Sequence, residues 1–229
     1  MPAASLPFRY ERKFVPDGLT VAEVQALVRR HPAGFREVYP PRTVNNLYLD
    51  TPGRRHYREH VNGLANRVKI RLRWYGSLCA SNVMAVLELK IRHGLLSRKE
   101  SYPLPGVSLS GGSLWPGLKS ALTVAALPDT ARLQVNNLEP AVTNRYHRRY
   151  YCSADSTVRL TVDTELEFFP PRNSGLIQRA ASHESPRVIL ELKYSEANAE
   201  QASHVAGDFP FRLTRCSKYI LGVEQVNGR

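Results

Sequence analysis

Basic side chains recur at every second position in several stretches of this sequence. In one of them Lys69, Arg71 and Arg73 alternate with apolar residues, and the tetrapeptide Leu-Glu-Leu-Lys occurs at 87–90 and again at 190–193. Because the side chains of a β-strand point alternately to its two faces, each stretch predicts a strand with one ionic and one apolar face. Arginine supplies forked donors that match phosphate, and lysine supplies point charges. The residue types and their spacing therefore indicate the binding of a polyanion.

The same division into two faces predicts strands elsewhere in the chain. Their ionic faces hold Arg9, Glu11 and Lys13; Glu88, Lys90 and Arg92; and Arg159, Thr161, Asp163, Glu165 and Glu167, which oppose Val158, Leu160, Val162, Leu166 and Phe168. One interpretation is an ordinary antiparallel sheet with its charged side in water. If the strands instead close into a barrel with their apolar sides outward under helices, the cations line a channel. Like charges about 4 Å apart repel by roughly 4 kcal/mol at an effective dielectric constant of about 20, so such a channel needs carboxylates and an anionic guest.

The elements that must position these side chains follow from pattern and turn signals. Strands are predicted near residues 8–14, 44–51, 66–75, 84–92, 143–151, 158–169 and 188–194. A helix is predicted at Val21–Arg30, where Thr20 and Glu23 form a capping box, and further helices near 118–125 and 196–206. The segments 103–117 and 170–187 are predicted as loops because they are rich in proline, glycine and polar residues.

Composition limits the possible partners. The chain has 229 residues, 42% of them hydrophobic, with no shift in composition along its length, which predicts one domain over residues 1–229. Lysine and arginine number 32 against 20 acidic residues, giving a net charge of +12. That excess favours nucleic acid, phospholipid or phosphorylated small molecules as partners, and charge alone does not choose among them.

Cysteine usage and the apolar segments indicate a compartment. Cys79, Cys152 and Cys216 are far apart and form no Cys-x-x-Cys pair, so neither a disulfide framework nor a structural zinc site is expected. The first eight residues lack the pattern of a signal peptide, and the apolar segment 121–127 is too short for a transmembrane segment. These features predict a cytoplasmic protein, and they leave a separate membrane partner open.

Eight short segments resemble one known family in the order in which they occur. They resemble the catalytic domain of the vacuolar transporter chaperone (VTC) polyphosphate polymerases, within the triphosphate tunnel metalloenzymes, and extend from about residue 8 to 222. The segments are Glu11-Arg12-Lys13-Phe14, Asn46-Leu47-Tyr48-Leu49-Asp50-Thr51-Pro52, Lys69-Ile70-Arg71-Leu72-Arg73-Trp74-Tyr75, Leu87-Glu88-Leu89-Lys90, Tyr146-x-Arg148, Arg159-Leu160-Thr161-Val162-Asp163, Leu190-Glu191-Leu192-Lys193-Tyr194 and Ser217-Lys218-Tyr219.

The resemblance implies an α+β fold in which a closed antiparallel eight-stranded β-barrel holds a triphosphate in its bore, with helices packed outside. It implies a divalent metal, Mn²⁺ or Mg²⁺, bound by Glu191 and with it Glu11, because hard cations prefer carboxylate oxygens. Tyr146 and Ser217 are implied as hydroxyl donors to phosphate, and Lys69 is expected at the rim. The implied basic phosphate ligands are Lys13, Arg71, Arg73, Lys90, Lys99, Arg148, Arg159 and Lys218.

The activity that the resemblance implies is ATP-dependent polyphosphate synthesis, in which the end of a growing chain attacks the γ-phosphate of ATP. Phosphoryl transfer of this kind needs charge neutralisation and positioning more than a side-chain nucleophile. A hydrolase of tripolyphosphate or nucleoside triphosphates and a non-catalytic polyphosphate-binding module are the alternatives, and nucleic acid is not the expected partner. Many hydrolases and cyclases of this fold begin with the pattern Glu-x-Glu-x-Lys, and here Arg9 takes the place of the first glutamate before Glu11 and Lys13. A cation in place of a carboxylate favours binding of a long polyphosphate.

Overall fold

A computed structural model describes residues 10–94, 96–109, 114–171 and 188–227, and eight antiparallel strands form one sheet in it. The spatial order of the strands is β1-β8-β7-β6-β2-β3-β4-β5. In chain order they are β1 Tyr10–Phe14, β2 Arg36–Asp50, β3 Asn66–Tyr75, β4 Val83–His93, β5 Leu96–Val107, β6 Glu139–Cys152, β7 Arg159–Phe169 and β8 Val188–Tyr194.

Six α-helices accompany the sheet within the described residues. They are α1 Val21–Arg30, α2 Arg55–Val61, α3 Trp115–Val124, α4 Asp129–Val135, α5 Ala199–Gly207 and α6 Lys218–Val226, with a 3₁₀ turn at Glu196–Asn198 before α5. The prediction of α1 and its capping box is confirmed: Thr20 Oγ1 accepts from the backbone of Glu23, whose carboxylate accepts from the backbone of Thr20. In the part of the chain that the structure describes, no helix has the length and apolarity to cross a bilayer.

The apolar faces of the strands point outward and are covered by helices, as predicted. Ile70, Leu72 and Leu87 pack with residues of α3 and α4 in one cluster. Leu160 and Leu190 belong to a second cluster, with residues of α1 and α5. Burial of these side chains against helices leaves the opposite, concave face of the sheet to the ionic residues.

Helix α6 lies on the concave face at one end of the sheet. Tyr219 and Val223 of α6 pack in a third cluster with Val142 of β6 and Phe168 of β7. Gly222 allows this close approach, because a Cβ atom there would lie 2.6 Å from the ring of Phe168. Apolar packing therefore fills this end of the concave face, which we call the α6 end.

Strand β7 contains a β-bulge, so the alternation of faces predicted for residues 158–168 is wrong beyond residue 165. Glu165 adopts a positive φ of 53°, and the pairing of β6 with β7 shifts register at the same point. One extra residue reverses the faces of everything that follows it in a strand. Leu166 and Phe168 were predicted on the outer face with Leu160, and they pack instead against α6 on the concave face.

The predicted closed barrel is wrong in its closure, because β1 and β5 are the two ends of the sheet and each pairs with one strand only among the described residues. The second edge of β1 meets a later segment: Thr214 N donates to Lys13 O at 2.9 Å, and Leu213 forms an isolated bridge with Phe14. The sheet nevertheless curves enough for Lys90 of β4 to contact Glu11 of β1 at 2.7 Å. We call this gap between β1 and β5 the seam.

Several elements differ from those predicted. Strand β5 extends through Pro103 to Val107, where a loop was predicted, and β2 begins at Arg36 rather than near residue 44. The helices α2 and α4 were not predicted. Residues 8 and 9 of the first predicted strand and 172–187 of the second predicted loop lie outside the described residues.

Candidate functional site

The concave face of the sheet holds a cavity of about 220 Å³. Its lining is strongly cationic, with ten lysines and arginines and two glutamates. The side chains that line it are Glu11, Lys13, Tyr48, Lys69, Arg71, Arg73, Lys90, Ser97, Arg98, Lys99, Tyr146, Arg148, Glu191, Lys193, Ser217 and Lys218.

Glu88 of β4 holds three of the cations in place. Its carboxylate accepts from Arg71 Nε at 2.8 Å and Lys99 Nζ at 3.1 Å, and Arg73 Nη1 lies 3.4 Å away. Burial would raise the pKa of Glu88, but Arg71, Arg73 and Lys99 together lower it well below its usual value. Glu88 is therefore an ionised, buried carboxylate that holds Arg71, Arg73 and Lys99 in place beneath the lining of the cavity.

Asp163 of β7 is a second buried anchor. Arg148 of β6 donates to both of its carboxylate oxygens, at 2.5 and 2.6 Å, and Lys218 Nζ lies 2.5 Å from Oδ2. Burial would raise the pKa of Asp163, and the charges of Arg148 and Lys218 lower it. Lys218 is the first residue of α6, so this ion pair also ties the start of that helix to the site.

Glu191 of β8 lies among four cations. Its oxygens are 3.3 Å from Lys13 Nζ and 3.1 Å from Lys193 Nζ, and Lys218 and Arg148 lie at 3.5 and 3.6 Å. Burial would raise the pKa of Glu191, but these cations hold it well below its usual value. The carboxylate is therefore ionised in the absence of any ligand.

Glu11 of β1 is the second acidic residue of the lining, and it spans the seam to Lys90. Burial would raise the pKa of Glu11, but Lys90 and neighbouring lysines lower it to about 2. Glu11 pairs with Lys193 and Lys13 pairs with Glu191 across β1 and β8, so the two carboxylates are diagonal neighbours on the cavity wall. No group of three or more histidine, cysteine or acidic side chains that could hold a metal occurs within the described residues.

Lys69, which was predicted at the rim, lines the cavity and is half-buried. Its Nζ donates to Ser217 Oγ at 2.8 Å, and among the described residues no carboxylate lies within ion-pair distance of it. Burial lowers the pKa of Lys69 well below its usual value, and the charges of Lys13, Lys90, Arg67 and Arg71 lower it further. Lys69 is thus a desolvated amine with a hydroxyl as its hydrogen-bond acceptor.

Two hydroxyl residues complete the cavity. Ser217 is the N-cap of α6, where its Oγ accepts from Ile220 N at 3.4 Å. Tyr146 is buried, with Lys218 Nζ 4.9 Å and the Arg148 guanidinium 5.2 Å from its ring centroid. Burial would raise the pKa of Tyr146, but Arg148, Arg73 and Lys218 lower it. Their action as donors to phosphate stays a prediction.

The structure brings together twelve of the thirteen residues predicted for the site. Arg159 is the exception: it is exposed near the end of β7 and does not line the cavity. Sequence reasoning did not assign Asp163, Lys193, Tyr48 or Arg98 to the site. Asp163 lies two residues after Thr161 and Lys193 two residues after Glu191, so each shares a strand face with its neighbour. This spacing is the signal that could have identified them.

Comparisons with known proteins bear on the family and on the fold. Residues 8–227 match the family model described as VTC domain. No curated protein matches the sequence.

Similar solved structures include a protein of Vibrio parahaemolyticus provisionally described as an adenylate cyclase, with a TM-score of 0.54 and 14% identity over 93% of this chain and 97% of that one. A provisionally described adenylyl cyclase from Hippeastrum, said to have a dominant triphosphatase activity, has a TM-score of 0.56 and 13% identity over 97% of both chains. A protein of Pyrococcus horikoshii has a TM-score of 0.51 and 11% identity over 95% and 99%. At these identities the likeness shows a shared fold.

Proposed function

Because the chain belongs to the VTC domain family, we propose that it is a polyphosphate polymerase that transfers the γ-phosphate of ATP to a growing inorganic polyphosphate chain in the cationic cavity. The observation that carries this proposal is the convergence of ten lysines and arginines on one cavity whose lining has two carboxylates. Cations packed at this density repel one another, so a polyanion is the ligand that relieves the repulsion.

The arginines suit the transferring phosphate. Phosphoryl transfer is accelerated mainly by fixed positive charge on the phosphate oxygens and by alignment of the reactants. Glu88 fixes Arg71 and Arg73, and Asp163 fixes Arg148 through two hydrogen bonds. These guanidinium groups are therefore positioned before substrate binds and need little reorganisation when charge develops.

The lysines suit a chain that moves through the site. Lys13, Lys90, Lys99 and Lys218 present compact charges on flexible stems from strands on both sides of the seam and from α6. An ammonium group can follow a phosphate oxygen as the chain advances by one unit, whereas a forked guanidinium demands one geometry.

A divalent metal fits the two carboxylates of the lining. Glu11 and Glu191 are both ionised, both line the cavity and are diagonal neighbours across β1 and β8. Mg²⁺ or Mn²⁺ commonly takes one or two carboxylates, with its remaining ligands from water and substrate phosphates. Glu11 and Glu191 would hold the metal, and when bound it would supply positive charge that offsets the negative charge of the phosphate oxygens. The protein itself contributes orientation of the chain and of ATP around this point.

Hydrolysis of tripolyphosphate or nucleoside triphosphates is the second candidate. It is favoured by the similar fold of the Hippeastrum protein, which is described as a triphosphatase. The same cationic cavity would serve it, with water in place of the phosphate chain as the attacking group. A module that binds polyphosphate without catalysis is a third possibility, and the two ionised carboxylates facing the cavity argue against it, because they would weaken binding of an anion in the absence of a metal.

The deciding experiment incubates the purified protein with ATP and Mg²⁺ or Mn²⁺ and resolves the products by size. We expect ADP together with a ladder of long phosphate chains. Glu191→Gln and Lys90→Ala should abolish the ladder, whereas Glu37→Gln, which removes an exposed carboxylate paired with Arg149 outside the cavity, should leave it unchanged. Orthophosphate without a ladder would favour the hydrolase, and no turnover of ATP despite tight binding of polyphosphate would favour the binding module.

A further inference from the structure

Three tyrosines surround the guanidinium of Arg42 at the end of the sheet opposite α6. The Arg42 guanidinium lies 5.8 Å from the ring centroid of Tyr39, 5.5 Å from that of Tyr75 and 5.9 Å from that of Tyr150. Tyr39 and Tyr75 are 55% and 44% exposed, which is unusual for large aromatic side chains. We call these four residues the aromatic mouth.

The aromatic mouth adjoins the cationic cavity. Arg42 pairs with Arg148 across β2 and β6, and Tyr75 follows Arg73 at the next position on the same face of β3. Arg73 and Arg148 both line the cavity. Residues two apart on a strand are about 7 Å apart, so Tyr75 lies directly beside a residue of the cavity wall.

At the opposite end of the concave face, the described residues are packed together and leave no comparable space for a nucleoside. Tyr219 and Val223 of α6 pack there on Val142 and Phe168, and Gly222 brings the helix backbone against the ring of Phe168. A nucleoside triphosphate whose phosphates lie among Arg73 and Arg148 can therefore extend its sugar and base toward the aromatic mouth.

We propose that the aromatic mouth binds the nucleobase of the nucleoside triphosphate by stacking on Tyr75 and Tyr39, with Arg42 as the cation that holds these rings in place. This inference rests on the proposed function and adds a base-binding subsite to it. Among the described residues Arg42 has no carboxylate in ion-pair distance, so its guanidinium plane is available to stack with a base as well.

Recognition by stacking sets the expected specificity. Every base has an aromatic face, and the mouth offers rings rather than an array of hydrogen-bond groups set to read one base edge. ATP and GTP should therefore bind within a few-fold of each other, and both should bind more tightly than CTP or UTP because purines offer the larger stacking area. Tripolyphosphate, which has no base, should not depend on the mouth.

The test measures binding to the full chain of the β,γ-imido analogue of ATP, which avoids turnover, and of tripolyphosphate. Tyr75→Ala should weaken the ATP analogue about tenfold and leave tripolyphosphate within twofold, whereas Tyr75→Phe, which keeps the ring, should match the wild type. Arg42→Ala should also weaken the ATP analogue more than tripolyphosphate. Arg30→Ala, which removes an equal charge from the exposed face of α1, is its control.

Equal losses of affinity for both ligands in Tyr75→Ala would overturn the proposal, because the mouth would then act on phosphate. Unchanged binding of both ligands in Tyr75→Ala and Arg42→Ala would also overturn it, since the cluster would then be surface packing alone. Failure of the wild type to bind tripolyphosphate would instead refute the proposed function, so the two failures are distinguishable.

Discussion

Removal of the charge of Asp163 tests whether the site is assembled around buried carboxylates. Asparagine preserves the size of the side chain, so the substitution Asp163→Asn removes charge with little change in packing. The Asp163 side chain is 1% exposed, and its cationic partners Arg148 and Lys218 are 8% and 6% exposed. Both cations would be left in a desolvated environment without their closest anion.

The magnitude follows from this burial. Removing one partner of a buried ion pair costs about 3–5 kcal/mol of unfolding free energy, because the remaining charge is uncompensated. Glu191 lies 3.6 Å from Arg148 and 3.5 Å from Lys218 and can compensate part of the loss. We therefore expect the lower end of this range, about 3 kcal/mol, or a fall in melting temperature of roughly 6–12 °C for a chain of this size.

Urea unfolding with and without tripolyphosphate is the assay. A ligand that binds only the folded state stabilises it, and phosphate oxygens can replace the missing carboxylate beside Arg148 and Lys218. Tripolyphosphate should therefore stabilise Asp163→Asn more than the wild type. The control is Glu37→Gln, whose ion pair with Arg149 is 34–40% exposed and should contribute less than about 1 kcal/mol. A loss in Asp163→Asn no larger than in the control, or an equal effect of tripolyphosphate on both proteins, would refute the reasoning.

Three further perturbations probe the cavity, α6 and the seam. Lys69→Met should raise the unfolding free energy of the ligand-free protein by about 1 kcal/mol, because it removes a desolvated amine that lacks a carboxylate partner, and should weaken tripolyphosphate binding severalfold. Gly222→Ala should lower the unfolding free energy by about 1–3 kcal/mol and weaken tripolyphosphate binding, because its Cβ would meet Phe168 and displace α6. The control is Gly207→Ala on α5, whose Cβ would meet no atom within 4 Å, so it should leave stability unchanged or raise it. The pKa of Glu11 is lowered from 4.5 to about 2, so the unfolded state takes up a proton first as the pH falls, and stability should decline between about pH 4.5 and 2 less steeply in Glu11→Gln.

Each of these expectations has an outcome that contradicts it. A destabilised Lys69→Met would show that its hydrogen bond to Ser217 outweighs the cost of its desolvation. Equal changes in unfolding free energy for Gly222→Ala and Gly207→Ala would mean that the close contact of α6 with Phe168 does not contribute to stability. If Glu11→Gln and the wild type lose stability with the same pH dependence in acid unfolding, protonation of Glu11 does not contribute to the pH dependence of stability.

The site could be predicted from the sequence to the extent that it follows strand alternation. Arg71, Arg73 and Lys90 fall on the concave face because each strand keeps its period of two from end to end. The bulge at Glu165 could not be predicted, since a single residue in the left-handed region leaves no trace in the hydrophobic pattern. Closure of the sheet depends on which segment pairs with the free edge of β1. That segment contains Thr214, which is far from Lys13 in the sequence, so local patterns could not predict the contact.

Other errors have the same long-range origin. The prolines of β5 suggested a loop, but an edge strand tolerates proline at positions that make no ladder bond. The hydrogen bond of Lys69 to Ser217 could not be predicted either, because the two residues are far apart in the sequence and meet only at the start of α6. Glu88 and Asp163 bind their cations across neighbouring strands, so their roles depend on register rather than on local spacing.

The backbone contact of Lys13 with Thr214 joins β1 to the segment before α6, and the ion pair of Lys218 with Asp163 joins the start of α6 to β7. While the ribosome is still releasing the chain, the basic residues of β3 and β4 emerge long before Ser217 and Lys218 do. The complete lining of the cavity can therefore assemble only after synthesis has passed α6. Before that point the cations of β3 and β4 lack the enclosing cavity, so any polyanion that they bind should be held weakly and with a strong dependence on salt.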